Sequence, residues 1–309
     1  MHEEGQRADR RAGVKSHSGG FQPHAVPAKA PGKDDLMEKF ADKVAIVTGG
    51  ASGLGRALCE ELGGRGAAVV AADINADGAR ETVSAVTGAG GRASATHTDT
   101  SQEDAVQKLV DDTVAAHGQL DYMFNNAGIG VGGDYRDMTL EHWRRVIDVN
   151  LWGVIYGTTA AYRVMVKQGF GHIVNTASLA GLIPVPTETA YATTKHAVVG
   201  LSTSLRAEAA DLGVKVSVVC PGFVQTGIFD AAIVLKIDRD EMIGTLPTKM
   251  MDVTRAARVI LRGVARNRAR IVFPFGYRVV WWLSRFHPAL VSPISRKVLN
   301  DVRRLRQDS

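Results

Sequence analysis

Apolar residues along this chain come in two alternating rhythms. Seven short runs, near 43–49, 67–73, 92–98, 120–126, 171–177, 214–220 and 269–274, predict β-strands. Several are almost continuously apolar, as in Val69-Val70-Ala71-Ala72, which is the pattern of a strand covered by helices on both faces. Between them, apolar residues recur at helical spacing near 54–64, 76–88, 103–117, 139–168 (with a break near Asn150), 190–212 and 252–267. Strand and helix alternate without interruption through the middle of the chain. That order predicts the α/β class, a Rossmann-type doubly wound parallel sheet of about seven strands in a single domain.

The first strand–helix junction carries Thr48-Gly49-Gly50-Ala51-Ser52-Gly53-Leu54-Gly55. It follows the run Val44-Ala45-Ile46-Val47 and precedes Arg56-Ala57-Leu58-Cys59-Glu60-Glu61-Leu62. Strand, glycine turn and helix form the setting of a dinucleotide-phosphate site. Gly49, Gly53 and Gly55 let the backbone turn tightly and approach a pyrophosphate, whose charge then faces the helix N-terminus. Asp73 ends the second strand, eighteen residues beyond Gly55. An acid there can bind both ribose hydroxyls of the adenosine and would repel a 2′-phosphate, so NAD is favoured over NADP.

Further along stands Tyr191-Ala192-Thr193-Thr194-Lys195, with Ser178 thirteen positions before the tyrosine. Residues i and i+4 share one helix face, so the Lys195 ammonium can sit beside the Tyr191 phenol. A cation there lowers the phenol pKa toward the working pH, which suits a proton donor and acceptor for an alcohol/ketone interconversion. Ser178 is placed to donate to the carbonyl oxygen, polarising it and fixing it beside Tyr191.

Together these motifs resemble the classical branch of the short-chain dehydrogenase/reductase family, over about residues 41 to 275. The likeness also covers Asn125-Asn126-Ala127-Gly128, Asn150 and Pro221-Gly222. It implies a sheet in the order 3-2-1-4-5-6-7, with the site beyond the carboxyl ends of the strands. It implies four catalytic residues: Tyr191 as general acid/base, Lys195 tuning it and bonding the nicotinamide ribose, Ser178 and Asn150. Asn150 would interrupt a helix and hold a water that links the lysine to solvent; the residue-level alternative is a helix break with a locally satisfied amide. The cofactor would be held by Thr48, Gly49, Ser52, Gly53, Leu54 and Gly55, by Asp73 and Asp99, and by Asn126, Ala127 and Gly128. Tyr191, Lys195, Pro221, Gly222, Val224 and Thr226 complete that set, Asp99 bonding the adenine, and Val224 and Thr226 meeting the carboxamide. No metal is required, because the cofactor's own carbon exchanges the hydride. Likeness to the family also implies a homodimer or homotetramer through the long helices near 150–168 and 190–212.

A lid is expected over residues 223–251, carrying Phe229, Ile233, Val234, Leu235, Ile237, Met242, Ile243, Leu246, Met250 and Met251. These side chains either line a pocket for an apolar alcohol or ketone, or pack the lid onto the body. Cys59 and Cys220 are the only cysteines and show no metal-ligand or redox spacing, which suits buried thiols in a reducing cytoplasm. His172 and His196 read as structural.

Both ends of the chain add to this unit, which spans 37–275. Residues 1–36 are rich in Gly, Pro, Lys, Arg, His and Ser and read as a disordered tail. They lack the apolar core of a secretory signal, and Met37 is a candidate translation start. At the other end, residues 276–309 form a basic, aromatic extension. Arg255 to Ser309 holds thirteen Arg or Lys and two Asp, a net of +11 in a chain of +5, so the preceding residues carry about −6. Arginines interrupt the stretch Phe273–Phe286 too often for a membrane span. It either lies on an anionic membrane surface or packs against the lid or a neighbouring subunit. No nucleic-acid recognition module is visible. The function expected is an NAD(P)-dependent oxidoreductase, either free in the cytoplasm or peripheral to a membrane, acting on a secondary alcohol or ketone. The alternative is a non-catalytic nucleotide-binding regulator of the same fold.

Overall fold

The structure, a computed structural model, describes residues 38–228, 232–244, 250–287 and 292–307. The expected tail at 1–36, the candidate start Met37, and Phe229 and Leu246 of the lid lie outside the described residues. Among the described residues there are nine strands: β1 (Val44–Thr48), β2 (Ala68–Asp73), β3 (Arg92–His97), β4 (Tyr122–Asn125), β5 (Val131–Gly132), β6 (Gly171–Thr176), β7 (Val214–Pro221), β8 (Ile233–Val234) and β9 (Arg270–Phe273). Seven form one sheet in the order β3-β2-β1-β4-β6-β7-β9, with every pair parallel. This is the expected 3-2-1-4-5-6-7 once the two-residue strands β5 and β8 are set aside. Those two pair with each other in a separate ribbon that the sequence pattern did not reveal.

Alternation along each central strand explains why both faces are apolar. Ala45 and Val47 of β1, Val69 and Ala71 of β2, Phe124 of β4 and Val174 of β6 point into one core with Leu58, Leu62, Ile260 and Leu261. Their sequence neighbours Ile46, Val70, Ala72, Met123 and Ile173 enter the opposite core with Leu109, Val110, Ala161 and Met165. The first layer of helices is α1 (Gly53–Gly63), α2 (Ala76–Gly88) and α8 (Val253–Ala265); the second is α3 (Glu103–His117), α5 (Gly153–Gln168) and α6 (Thr189–Glu208). Full burial of an aliphatic side chain contributes about 1.5–3 kcal/mol, so these two layers supply most of the driving force for the sheet. Edge strand β3 is the exception, with Arg92, Ser94, Ala95 and His97 exposed.

The expected long helix near 139–168 is two helices, α4 (Leu140–Ile147) and α5, joined by one wide π turn at Asp148–Trp152. Asn150 lies in that turn, where the break was anticipated. Three helices were not anticipated: α7 (Arg239–Gly244), α9 (Phe275–Phe286) and α10 (Ser292–Leu305). The basic extension is therefore helical, and the expected boundary after residue 275 falls inside α9.

His172 lies in the sheet centre and hydrogen-bonds the Ser217 hydroxyl through Nε2 at 2.8 Å. Burial holds its imidazole neutral, pushing its pKa from 6.5 down to about 3. Below pH 6.5 the unfolded chain binds a proton that the folded one refuses, so acid favours unfolding. At pH 5 this group alone lowers stability by about 2 kcal/mol relative to pH 8. Urea unfolding of the protein and of His172→Gln at both pH values should show a smaller acid loss in the variant.

Candidate active site

The carboxyl end of β1 turns through the glycine loop into α1. Gly49 has φ +68° and Gly53 φ +51°, conformations that side-chain-bearing residues resist. A β-carbon on Gly55 would lie 1.8 Å from the Gly49 carbonyl oxygen, so the loop closes only around glycine. Ser52 precedes α1 in an extended conformation without capping it through its side chain. The first N–H groups of α1 thus keep their capacity for an anion. Asp73, at the end of β2, accepts from Ala51 N at 2.9 Å and from Asn75 N at 2.8 Å, which holds its carboxylate against this loop. A tight backbone cradle at a helix N-terminus with a fixed acid beside it fits a dinucleotide's pyrophosphate and adenosine ribose.

Other strand ends converge on the same place. Thr48 Oγ1 accepts from Asn126 N (3.0 Å) and Ala127 N (3.1 Å) and donates to Phe124 O (3.4 Å). Thr48 therefore braces the Asn126–Gly128 wall, and its hydroxyl is already engaged within the fold. Thr226 lies over the glycine loop, where a β-carbon on Gly53 would be 3.3 Å from its side chain. Val224 is buried and bridges Met251. Pro221 ends β7, and Gly222 N donates to Phe273 O at 2.8 Å. Asp99 lies just past β3 and is folded onto Ser101, accepting from its N (2.9 Å) and its Oγ (2.8 Å).

The chemistry-bearing side chains meet at the ends of β4 and β6. Lys195 is 2% exposed, and its Nζ donates to Thr176 O at 3.0 Å. It stands over the Tyr191 ring, 5.5 Å from the centroid, as the four-residue spacing predicted. Ser178 hydrogen-bonds the Tyr191 hydroxyl, and its own Oγ accepts from Ala180 N. Asn150 is fully buried; its Oδ1 accepts from Ile129 N (2.8 Å) and its Nδ2 donates to Ile129 O (2.9 Å). A β-carbon on Gly128 would come within 3.2 Å of Asn150 Oδ1 and 3.4 Å of Lys195 Nζ. Gly128 thus keeps a small space open between amide and amine.

The electrostatic balance differs from that expected. Burial drives the Tyr191 hydroxyl above its ordinary pKa, Glu188 pushes the same way, and the Ser178 hydrogen bond opposes them. Desolvation also lowers Lys195 to about 8. The spacing of Tyr and Lys placed the amine over the ring, but loss of water is the largest influence on the phenol and raises its pKa. Glu188 is one of two residues neighbouring the site that the sequence did not single out. It immediately precedes α6, does not cap it, and burial raises its carboxyl to about 7. An acid one helical turn before Tyr191 was the available signal.

In the lid, Leu235 and Ile237 are buried, and β8 pairs with β5 over a cluster of Val131, Val146, Ala190 and Tyr191. The ribbon is tied to the turn before α6 by Gly133 N and Thr187 O at 2.9 Å. Met242 and Ile243 belong to α7, and their side chains are outside the described ones. Tyr277, also missed, presses its ring on Gly222, where a β-carbon would lie 2.4 Å from it. On the far side of the ribbon, Arg303 Nε bonds Asp134 at 2.8 Å, and Arg306 grips Asp137 with two bonds of 2.8 and 2.9 Å. His196 is exposed and bonds the Ala192 carbonyl.

Comparison with known proteins agrees with this geometry. The sequence matches the short chain dehydrogenase family model over residues 43–233. It is 37% identical over 206 residues to cyclohexanol dehydrogenase of Acinetobacter sp. (strain SE19), covering 65% of this chain and 82% of that one. It is 41% identical over 198 residues to 2,5-dichloro-2,5-cyclohexadiene-1,4-diol dehydrogenase of Sphingobium indicum, covering 63% and 78%. A solved short chain dehydrogenase/reductase from Burkholderia phymatum in complex with NAD aligns with a TM-score of 0.72 at 31% identity, over 87% of this chain and 97% of that one. The chain belongs to the short-chain dehydrogenase family, and it is an oxidoreductase acting on CH–OH groups.

Asn150→Ala would strand the N–H and C=O of Ile129 beside the lysine. Each buried group left unpaired costs about 1–3 kcal/mol, so with two such groups the variant should lose about 2–6 kcal/mol in urea unfolding at pH 7.5.

Proposed function

We propose that the protein oxidises an apolar, cyclic secondary alcohol to its ketone, or runs the reverse reaction, with NAD as the partner nucleotide. The observation that carries this reading is the buried amine of Lys195 over the Tyr191 ring, with Ser178 bonded to the same phenol. The bound nicotinamide supplies hydride exchange with the carbinol carbon. Tyr191 takes the hydroxyl proton in oxidation and returns it in reduction. Ser178 holds the alcohol oxygen beside the phenol, and Lys195 keeps positive charge under the ring. The gap at Gly128 supports a water between Asn150 and Lys195 through which protons exchange with solvent.

Gly49, Ser52, Gly53, Leu54 and Gly55 would form the pyrophosphate cradle, with Asp73 on the ribose and Asp99 near the adenine. Asn126, Ala127 and Gly128 would line the ribose side, and Pro221, Gly222, Val224 and Thr226 the carboxamide side. Thr48 acts by bracing that wall. The apolar lid residues Ile233 and Leu235, packed with Val131 of β5 and Tyr191, support an apolar substrate. The ring-bearing alcohols named for the two relatives point the same way. The catalytic unit is taken as 37–275, assembling as a cytoplasmic homodimer or homotetramer through α5 and α6. The half-exposed Trp152, stacked on Tyr156 at 5.7 Å, supports that interface.

A panel of cyclic and open-chain secondary alcohols, assayed with NAD, tests the chemistry. In Tyr191→Phe, kcat should fall by about 10²–10⁴-fold with NAD affinity retained. Undiminished turnover in that variant would contradict the assigned role.

Cofactor choice is tested separately. With NAD bound in the proposed cradle, the Asp73 carboxylate would face the ribose 2′ position, where a phosphate would meet like charge at a cost of several kcal/mol. Asp73→Ser should raise kcat/KM for NADP relative to NAD by about tenfold or more; an unchanged ratio would remove Asp73 as the selector.

A further inference from the structure

Helix α9 has two dissimilar faces. Its inner face carries Tyr277, Val280, Trp281 and Ser284: Tyr277 lies on Gly222, Trp281 meets the Arg270 guanidinium at 5.7 Å, and Ser284 is buried. Its outer face carries Phe275 (73% exposed), Val279, Trp282 (59%), Leu283 and Phe286 (68%). At 3.6 residues per turn these five fall within an arc of roughly 100°. Arg278 and Arg285, both exposed, run along one border of that arc, and the helix contains no acidic residue. Trp282 and Phe286 rest on each other at 4.4 Å, so the stripe is preorganised rather than loose.

We infer that this face of α9 docks the protein on an anionic lipid surface, with the aromatic stripe at the acyl boundary and the arginines among the headgroups. Three large aromatics on one exposed face form an apolar patch of the kind that marks an interaction site. Its composition selects the partner. Aromatic and aliphatic residues flanked by arginine on a helix of low overall apolar length are the pattern of an interfacial helix. The surrounding extension reinforces the attraction, with seven Arg or Lys against two Asp from residue 276 onward. No helix among the described residues is long and apolar enough to cross a membrane, so the association is peripheral. A symmetric contact of α9 with α9 of a second copy would set arginine border against arginine border, with no acid on the helix to offset them. The inference does not depend on the proposed substrate, because the stripe lies outside the catalytic residues.

Sedimentation of the full chain with vesicles tests it. Vesicles of phosphatidylcholine carrying about one-third phosphatidylglycerol, in about 20 mM salt, should pellet the protein, and pure phosphatidylcholine should not. Arg278→Glu with Arg285→Glu should weaken binding by at least roughly thirtyfold, since each basic residue near such a surface contributes about a factor of five. Phe275→Ser with Trp282→Ser and Phe286→Ser should abolish pelleting while NAD-linked turnover persists. If that triple variant folds poorly, the arginine pair decides the matter alone. The inference is overturned if the wild type stays in solution with anionic vesicles, or if both variants pellet as the wild type does. It is equally overturned if the triple variant forms a smaller assembly in sedimentation velocity while the wild type ignores vesicles, which would assign the stripe to a second copy.

Discussion

A buried ammonium is the constraint around which this molecule is organised. Lys195 has lost nearly all contact with water, and an uncompensated charge in that position would be untenable. Its compensation comes from three directions: the Thr176 carbonyl at the end of β6, the face of Tyr191, and the space kept by Gly128 next to the Asn150 amide. None of these can move alone. Gly181 packs so closely on the Lys195 carbonyl that a β-carbon would lie 2.5 Å from it, which fixes α6 against the turn carrying Ser178. The reactive cluster is therefore a by-product of satisfying one charge in a dry interior. The desolvation of that charge is visible in the lowered lysine pKa.

The parallel sheet makes that arrangement possible. Parallel strands bring all their carboxyl ends to one edge, and each end here delivers one group: the glycine loop from β1, Asp73 from β2, the Asn126–Gly128 wall from β4, Ser178 beyond β6, and the Pro221–Thr226 turn from β7. Alternating side chains fill two cores, so the sheet is rigid while its edge is free to vary. Thr48 shows how the two tasks meet, since a residue beside the cradle serves mainly by fastening a neighbouring strand end.

Much of this was legible in the sequence because it follows from local patterns. Seven apolar runs became the seven strands of the sheet, and the Tyr–Lys spacing placed the amine over the ring. What escaped depends on distance or depth. Strands β5 and β8 are two residues each and pair across a hundred positions, too short for any period. Spacing names the neighbours of Tyr191 but not how little water reaches it, so the direction of its pKa was misjudged. Nor does the sequence show that the Glu188 carboxyl is desolvated enough to be raised to about 7. In the extension, the interrupting arginines drew attention away from the helical recurrence of Phe275, Val279, Trp282 and Phe286. One face of that helix packs on the body, with Tyr277 against Gly222, and the other stays exposed.

The paired arginines on the ribbon have a consequence of their own. Asp134 is held far below the usual carboxylate range by Arg136 and Arg303, and Asp137 is lowered by Arg306. Both carboxyls are thus biased toward the charged form that the clasp needs. Ionic strength is the variable it can feel, and unevenly: the Arg303 side chain is 47% exposed and open to screening, whereas Arg306 is 17% exposed and holds by two bonds. Electrolyte would loosen one prong well before the other, turning the ribbon on a single remaining pivot instead of releasing it.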